Sequence, residues 1–309
     1  MEIRMKINLF NIPNQIIDTS KFNNLLHGDI VEEFESNFRK YVNAKYSVSL
    51  NSATNAIFLI SKLWGGNSKI PALIPPVVAN AILTAGNSIS FIDNTDWVGN
   101  SYHLDLGIKD FKVIDSAQKV EKNQFTLECN NSDLMIFSLY PTKPLSSADG
   151  CVVVSNDKNK IDTLKLYSFN GMSQQSNNWE RKQKAIGYKM YLASISAFIA
   201  NENLKKLDEK KRKIFKIREK YNEAFMLTNM SDHLYRLNIE NRDSFIEKAK
   251  AENIVCGIHY ENITKNPIFG HSDKFFPISE RESKTTVSIP MHEALTVKDI
   301  DKVIKLVNG

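Results

Sequence analysis

The sequence predicts an α/β fold with a mainly parallel sheet, followed by a smaller α+β region. Short apolar runs typical of strands alternate with helical or loop segments from Tyr46 to Val154. The chain of 309 residues is long enough for one large or two modest domains. Because the pattern changes after about residue 190, we expect a large domain of residues 1–205 and a small C-terminal domain of residues 206–309.

The first half of the chain supplies the predicted sheet. Residues 31–42 form an amphipathic helix, since Phe34, Phe38 and Val42 recur at helical spacing. The strand Tyr46–Leu50 then leads through a polar turn into a second helix. Further short strands are predicted at Ile70–Ile74, Ser88–Ile92, Phe111–Ile114, Leu134–Leu139 and Cys151–Val154.

The second half mixes long helices with isolated strands. Two helices are predicted at 193–207 and 208–229, and the second is charged with one apolar side. The last helix begins with a capping-box pattern at Thr296 and Asp299. Between them the sequence predicts a strand, a helix and two strands, at His233–Leu237, Arg242–Glu252, Ile254–Tyr260 and Thr286–Ile289.

Composition and spacing argue against several classes of function. The net charge of +5 comes largely from lysines between Lys205 and Lys220, a pattern typical of a solvated helical face and not of a nucleic-acid site. The six histidines are scattered without ligand spacing, so no metal site is expected. The sequence also has no Gly-rich dinucleotide fingerprint after a strand and no Walker lysine motif.

The cysteines and the apolar runs indicate a cellular location. Cys129, Cys151 and Cys256 are an odd number at wide spacing, which fits a reducing compartment. The N-terminal apolar stretch is too short for a signal peptide, and no run reaches the ~18 residues of a membrane helix. We therefore expect a cytoplasmic protein with no membrane partner.

A turn of small polar residues joins the first strand to the following helix. Amides and hydroxyls at a helix N-terminus form an anion site suited to a phosphate, here from Ser52, Ala53, Thr54 and Asn55. Taken alone, the segment more often indicates a plain helix N-cap.

A carboxylate ends the apolar strand in the segment VIDSAQ, and an amide follows three residues later. These side chains are Asp115 and Gln118. A cofactor with a pyridine ring needs a carboxylate at the ring nitrogen, which keeps the ring protonated and able to accept electrons. The local alternative is a turn-forming Asp at the end of a strand.

A lysine lies in a Pro-bracketed loop directly after a buried strand, in the segment FSLYPTKPL. Such a loop holds Lys143 in place, and partial burial would lower its pKa. An amine of this kind is a nucleophile toward an aldehyde and afterwards a proton carrier. Nearby, Ser138 is placed to bind a phosphate. Taken alone, Lys143 fits a solvated loop lysine better.

Together and in this order, the segments resemble the nucleotide-sugar aminotransferase family, the DegT/StrS group. The resemblance runs from about Phe34 to Val307. It is carried by FESNFRKYVNAKYSVSLNSATNAI, ANAILTAGNSISFID, VIDSAQ, FSLYPTKPLSSADG, LKKLDEKKRKIFKIREKYNEAF, GIHYENI and FPISERESKTTVSIPMHEALTVKDIDKVI. It implies the aspartate aminotransferase-like fold, which is fold type I of the enzymes that use pyridoxal 5'-phosphate (PLP).

The resemblance also implies roles for individual residues. Lys143 would form the Schiff base with PLP, Asp115 would pair with the pyridine nitrogen, and Gln118 would lie against the ring. His259 and Tyr260 would line the substrate side. The residues implied at the phosphate are Ser52, Ala53, Thr54, Asn55, Ser138 and Lys189.

The family resemblance further implies the reaction and the partners. Its members move an amino group, usually from glutamate, onto a keto-sugar attached to a nucleotide diphosphate. They are homodimers with sites at the subunit interface, and the segment at Gly187 and Tyr188 reaches the partner's phosphate. Lys189, Lys184 and Arg181 are candidates for meeting a diphosphate, although exposed basic residues are common.

The chain departs from the family pattern at several contacts. The stretch 94–114 is short, which predicts the loss of one strand–helix unit. Pro75 stands where the family has an aromatic ring that stacks on the cofactor, and Lys189 replaces a phosphate-binding Asn. Three hypotheses follow: an aminotransferase, a sugar dehydratase that uses PLP or pyridoxamine phosphate, and a non-catalytic or regulatory binding protein on the same fold. Lys143 favours the first over the second, because such dehydratases typically lack the lysine.

Overall fold

The computed structural model describes residues 6–12, 14, 15, 17, 18, 20, 25, 28–173, 182–270 and 274–309. Its helices are α1 (Asp29–Val42), α2 (Ala53–Trp64), α3 (Pro76–Thr84), α4 (Gln124–Glu128), α5 (Lys158–Ser168), α6 (Ser194–Phe225), α7 (Arg242–Ala251), α8 (Pro277–Thr285) and α9 (Val297–Asn308). Its strands are β1 (Tyr46–Leu50), β2 (Asn67–Pro71), β3 (Ser88–Ile92), β4 (Tyr102–His103), β5 (Val113–Asp115), β6 (Leu134–Ser138), β7 (Cys151–Ser155), β8 (Met172–Ser173), β9 (Lys182–Gln183), β10 (Tyr235–Asn238) and β11 (Thr286–Ile289). Within these ranges no helix is both long and apolar enough to cross a membrane.

The central sheet has the strand order β1-β7-β6-β5-β4. β5 and β6 pair in parallel, β7 pairs antiparallel to β1 and β6, and β4 pairs antiparallel to β5. The parallel pair β2-β3 continues this row, because a bridge joins Lys69 of β2 to Asp105, just after β4. Strands β1, β2, β3, β5 and β6 therefore share one direction, and β4 and β7 run the other way. The mainly parallel sheet expected from the sequence is confirmed.

Both faces of this sheet are covered by helices. In β6, Met135 and Phe137 pack on one side in a cluster with Phe34 and Phe38 of α1, while Ile136 packs on the other side with residues of α2 and α3. Burial on both faces explains why these strands read as nearly continuous apolar runs.

The short stretch 94–114 holds a turn and a strand in place of a strand–helix unit. Residues 96–99 form the turn, and β4 follows it between β2 and β5. No helix lies within 94–114, as its length predicts. The missing unit is thus replaced by one short strand that runs against its neighbours.

The two helices predicted at 193–207 and 208–229 are a single helix, α6. Neither Gly nor Pro occurs within it, so nothing in the backbone ends the first helix near residue 207. Its first turns pack under the sheet, whereas Ile214, Ile217 and Tyr221 join a separate core with β10, β11 and α9. The domain boundary at residues 205 and 206 falls inside this helix, and the division into two domains stays a prediction.

The strand predicted at Ile254–Tyr260 is wrong. With the described residues this segment makes only single bridges, from Ile254 to Ile7 and from Gly257 to Ser288 of β11. Its β-branched residues favour a strand, but the chain touches the edge of β11 at one position and then turns toward the sheet. The other C-terminal strands form near their predicted places, and the Thr296–Asp299 capping box is confirmed at the start of α9.

Candidate active site

A cavity of about 590 Å³ lies where β1, β5 and β6 end. Parallel strands end at one edge of a sheet, which is where α/β proteins bind ligands. Most of the residues predicted for the site line this cavity. They are Ser52, Ala53, Thr54, Asp115, Gln118, Ser138, Lys143, His259 and Tyr260.

Lys143 reaches the cavity from the loop that follows β6. Its N–H donates to the Tyr140 carbonyl at 2.9 Å, and Lys210 Nζ of α6 donates to the neighbouring Pro144 carbonyl at 3.0 Å. These bonds fix the loop on both sides of the lysine. Its own Nζ has no hydrogen bond or ion pair with the described residues. Burial lowers the pKa of the Lys143 amine, and the Asp115 charge opposes that shift.

Asp115 is the last residue of β5 and is 6% exposed. Its Oδ1 accepts a hydrogen bond from the Ala117 N–H at 2.9 Å, and its Oδ2 accepts one from the Tyr102 hydroxyl at 3.2 Å. Burial raises the pKa of Asp115, whereas the Ala117 N–H, the charge of Lys143 and the Tyr102 hydroxyl lower it. The carboxylate and the amine thus act on each other across one cavity.

Gln118 ties three parts of the cavity wall together. Its Oε1 accepts the Gly99 N–H at 2.6 Å and its Nε2 donates to the Tyr260 hydroxyl at 2.9 Å. Gly99 has φ +89°, and a Cβ there would lie 2.7 Å from Ser231 Oγ, so this turn requires glycine. The Trp97 ring stacks on Tyr260 with centroids 5.6 Å apart and planes 3° apart. This side of the cavity is therefore rigid and aromatic.

The start of α2 provides unpaired backbone donors. Ser52 is the N-cap, and its Oγ accepts the Asn55 N–H at 3.1 Å. In the described part of the chain, the amides of Ala53 and Thr54 have no partner, as is usual in the first turn of a helix. Asn55 does not line the cavity, because its amide serves the cap and its side chain donates to Asn51.

Ser138 and Lys189 occupy different surroundings. Ser138 is buried at the end of β6, lines the cavity, and accepts the Tyr140 N–H at 3.3 Å. Lys189 is exposed and does not line the cavity; its backbone bridges Phe169. The next carbonyl, of Met190, accepts the Asn51 N–H at 2.7 Å, so the segment runs beside the start of α2. Arg181 lies outside the described residues.

Several lining residues were not predicted as site residues from the sequence. His233 stacks on Phe10 at 5.4 Å, and burial lowers its pKa well below the usual range. It was predicted only as the start of a strand, which gives no sign of a cavity. Trp97 and Tyr102 belong to the shortened stretch, whose irregular sequence has no periodicity that would predict the direction of its side chains.

Pro75 also lines the cavity, next to Val77 and Val78 at the start of α3. An aliphatic wall therefore stands where the family pattern has an aromatic ring. The aromatic side chains of the cavity come from elsewhere in the chain: Phe10, Trp97, Tyr102, Tyr140 and Tyr260.

The arrangement fits an aromatic aldehyde cofactor that carries a phosphate. A buried carboxylate suits a pyridine nitrogen, and an unpaired amine of lowered pKa suits an aldehyde. The free amides of Ala53 and Thr54 suit the phosphate. No cluster of three or more metal-binding side chains occurs among the described residues.

Comparisons with known proteins agree with this geometry. The sequence profile of the DegT/DnrJ/EryC1/StrS aminotransferase family matches residues 11–100 and 128–308. The chain is 26% identical to the spore coat polysaccharide biosynthesis protein SpsC of Bacillus subtilis, covering 95% of this chain and 92% of SpsC. It is also 26% identical to a UDP-4-amino-4,6-dideoxy-N-acetyl-beta-L-altrosamine transaminase of Campylobacter jejuni, covering 89% and 88% of the two chains.

Solved structures show the same fold. Helicobacter pylori PseC, an aminotransferase involved in the biosynthesis of pseudoaminic acid, superposes with a TM-score of 0.80 at 17% identity, covering 97% of this chain and 98% of PseC. Fold, site and profile together define an aminotransferase of PLP fold type I. The chain belongs to the DegT/DnrJ/EryC1/StrS aminotransferase family. The predicted family, fold class, enzyme class and cofactor are confirmed.

Proposed function

We propose that this protein transfers an amino group, with glutamate as the donor, onto a keto-sugar linked to a nucleotide diphosphate. The observation that carries the proposal is the convergence of Lys143, from the loop after β6, and Asp115, at the end of β5, on one cavity beside the start of α2. The names of two relatives support the sugar acceptor, since one is a UDP-amino-sugar transaminase and the other a spore coat polysaccharide biosynthesis protein.

In this proposal each residue has a role set by its surroundings. Bound PLP supplies an electron-accepting ring that stabilises negative charge on the adjacent substrate carbon. Asp115 holds a proton on the pyridine nitrogen. Gln118, fixed by Gly99 and Tyr260, orients the ring, and the amides of Ala53 and Thr54 bind the phosphate, with the Ser138 hydroxyl beside them.

Lys143 has two tasks in the proposal. Its lowered pKa increases the fraction of Nζ that is unprotonated, and an unprotonated amine can attach PLP and, when released, accept a proton. In the first half of the reaction Nζ takes the proton from the α-carbon of the amino-acid donor. In the second half Nζ donates a proton to the sugar carbon that gains nitrogen. His259 and Tyr260 face the substrate from the far wall.

A nucleotide diphosphate requires positive charge that this cavity alone does not supply. Among the described residues that line it, Lys143 is the one lysine or arginine. We propose a homodimer in which the exposed Lys189 reaches the partner's site and meets its phosphate. We also propose a cytoplasmic location, where nucleotide sugars and glutamate are available.

The test is the absorbance of the purified protein with PLP. We expect a band near ~420 nm that borohydride removes, and Lys143→Ala should lack it. Lys158→Ala is the matched control, because Lys158 is an exposed lysine on α5 that pairs with Asp162 and lies away from the cavity. A protein that does not take up PLP would contradict the proposal.

Glutamate and product mass then distinguish the reactions. An aminotransferase converts bound PLP to the pyridoxamine form when glutamate is added, and its sugar product gains nitrogen. A product that has lost water would show a dehydratase. Bound PLP that does not respond to any amino donor would show a binding protein on this fold.

A further inference from the structure

The shortened stretch brings an unexpected hydroxyl to the carboxylate of the site. β4 lies antiparallel to β5, and its register places Tyr102 directly across from Asp115. The Tyr102 hydroxyl donates to Asp115 Oδ2 at 3.2 Å. Both side chains line the cavity. A hydrogen bond between residues paired across two strands is set by the sheet itself and not by a mobile loop.

Asp115 still has acceptor capacity left after this bond. An ionised carboxylate accepts about four hydrogen bonds. Oδ1 receives the Ala117 N–H and Oδ2 receives Tyr102, so each oxygen keeps a lone pair for a donor in the cavity. Tyr102 thus fixes the orientation of the carboxylate and leaves it able to accept a further hydrogen bond from a ligand.

The Tyr102 hydroxyl keeps its proton and therefore remains a hydrogen-bond donor. Burial, followed by the Asp115 charge, raises the pKa of Tyr102 well above its usual range, so the hydroxyl stays protonated throughout the working pH range. The positive charge of Lys143 also stabilises the ionised form of Asp115, but this stabilisation is lost whenever the amine loses its proton. The hydrogen bond from Tyr102 stabilises the ionised form of Asp115 whether or not Lys143 carries a proton.

Tyr102 is itself held by packing. The Trp97 ring lies against it with centroids 4.8 Å apart, and Trp97 stacks in turn on Tyr260. Gln118 closes the same wall by binding Gly99 and Tyr260. The stretch that replaces a strand–helix unit therefore forms one rigid wall from residue 97 to residue 102.

We propose that Tyr102 is a positioning residue, which holds Asp115 ionised and aimed at the pyridine nitrogen of PLP. The inference rests on the proposed use of PLP and adds a residue to it. The shortened stretch is then part of the catalytic machinery rather than a sign that the machinery was lost.

The direct test follows the proton on the pyridine nitrogen. PLP labelled with 15N is bound to the unaltered protein, to Tyr102→Phe and to Tyr46→Phe, and its 15N resonance and dissociation constant are measured. We expect Tyr102→Phe to move the resonance toward neutral pyridine and to weaken PLP binding by up to roughly tenfold, because Asp115 loses a hydrogen bond that favours the ionised form required by the pyridinium. Tyr46→Phe removes a phenol hydroxyl from β1, away from the cavity, and should change neither quantity.

A double-mutant cycle separates positioning from a merely structural effect. In an Asp115→Asn background the ring nitrogen no longer has a carboxylate beside it. Adding Tyr102→Phe should therefore cause no further change in the 15N resonance. An equal loss in both backgrounds, or a Tyr102→Phe protein identical to the unaltered one, would overturn the inference. If Tyr102→Phe does not fold, Tyr102→3-fluorotyrosine keeps the shape and strengthens the donor, and the resonance should move toward pyridinium.

The two proposals fail in different ways. If the unaltered protein does not bind PLP, the proposed function fails and this inference fails with it. If the unaltered protein binds PLP as a pyridinium and Tyr102→Phe does the same, only the role of Tyr102 is overturned.

Discussion

Replacing Asp115 with asparagine removes a charge from the cavity while leaving its shape nearly unchanged. The side-chain oxygen of the asparagine still accepts the Ala117 N–H. Its amide nitrogen would then face the Tyr102 hydroxyl, which turns and accepts instead of donating. The local fold is therefore kept, and the change falls on whatever ligand meets the carboxylate.

The size of the effect follows from what the carboxylate contributes. A hydrogen bond to a charged group contributes about 1.5–3 kcal/mol, so PLP should bind roughly ten- to a hundredfold more weakly. The rate should fall further, because an asparagine cannot keep the ring protonated when negative charge develops. Removing one preorganised electrostatic group typically costs about 10²–10³ in rate. The stability of the PLP-free protein should fall little, because a buried acid whose pKa is raised is itself unfavourable.

The assay is the half-reaction with glutamate. Its rate is measured from the decrease of the PLP absorbance, with enough PLP present to saturate each protein. Asp162→Asn is the control, since Asp162 is exposed on α5 and pairs with Lys158. Thermal unfolding without PLP checks that Asp115→Asn is folded. An Asp115→Asn protein that reacts at the unaltered rate would refute the assignment of Asp115 to the pyridine nitrogen.

Further changes have defined outcomes. Lys210→Met removes the donor to the Pro144 carbonyl, so amide hydrogen exchange in residues 139–147 should quicken by roughly tenfold, measured by mass spectrometry. Gly99→Ala requires a side chain at φ +89° and places a Cβ 2.7 Å from Ser231 Oγ, so urea denaturation should show a loss of at least about 1–2 kcal/mol. The pKa of His259 is lowered to about 4 by burial and by the Lys143 and Arg236 charges, below its ordinary value of 6.5. The unfolded chain therefore binds a proton at His259 more readily than the folded protein does. As pH falls from 6.5 to 4, the free energy of unfolding of the PLP-free protein should decrease by up to about 3 kcal/mol. The decrease should be smaller in His259→Asn.

Local sequence patterns predict most of the strands that form the sheet. β3 and β11 form within the predicted bounds, and β1, β6 and β7 agree to within one residue, because buried strands are continuous apolar runs between polar turns. The resemblance selected Lys143 and Asp115, and the structure brings both to one cavity. These strands are segments whose neighbours along the chain already determine their conformation, whereas the two site residues were assigned through the family resemblance.

Other features depend on distant partners and were not predicted. The segment at 254–260 has the composition of a strand, but only Gly257 meets β11. β4 is two residues long and exists because β2 and β5 leave a gap that the chain fills. Tyr102 faces the cavity through such a pairing and His233 through its stacking on Phe10, and spacing along the chain gives no sign of either contact.

The most direct measurement identifies the lysine that carries the cofactor. The protein is incubated with PLP, reduced with borohydride, digested, and its peptides are weighed. We expect one phosphopyridoxyl group, located on Lys143, and none in Lys143→Ala. A label on any other lysine, or no label in the unaltered protein, would contradict the claim that Lys143 and Asp115 share one PLP site.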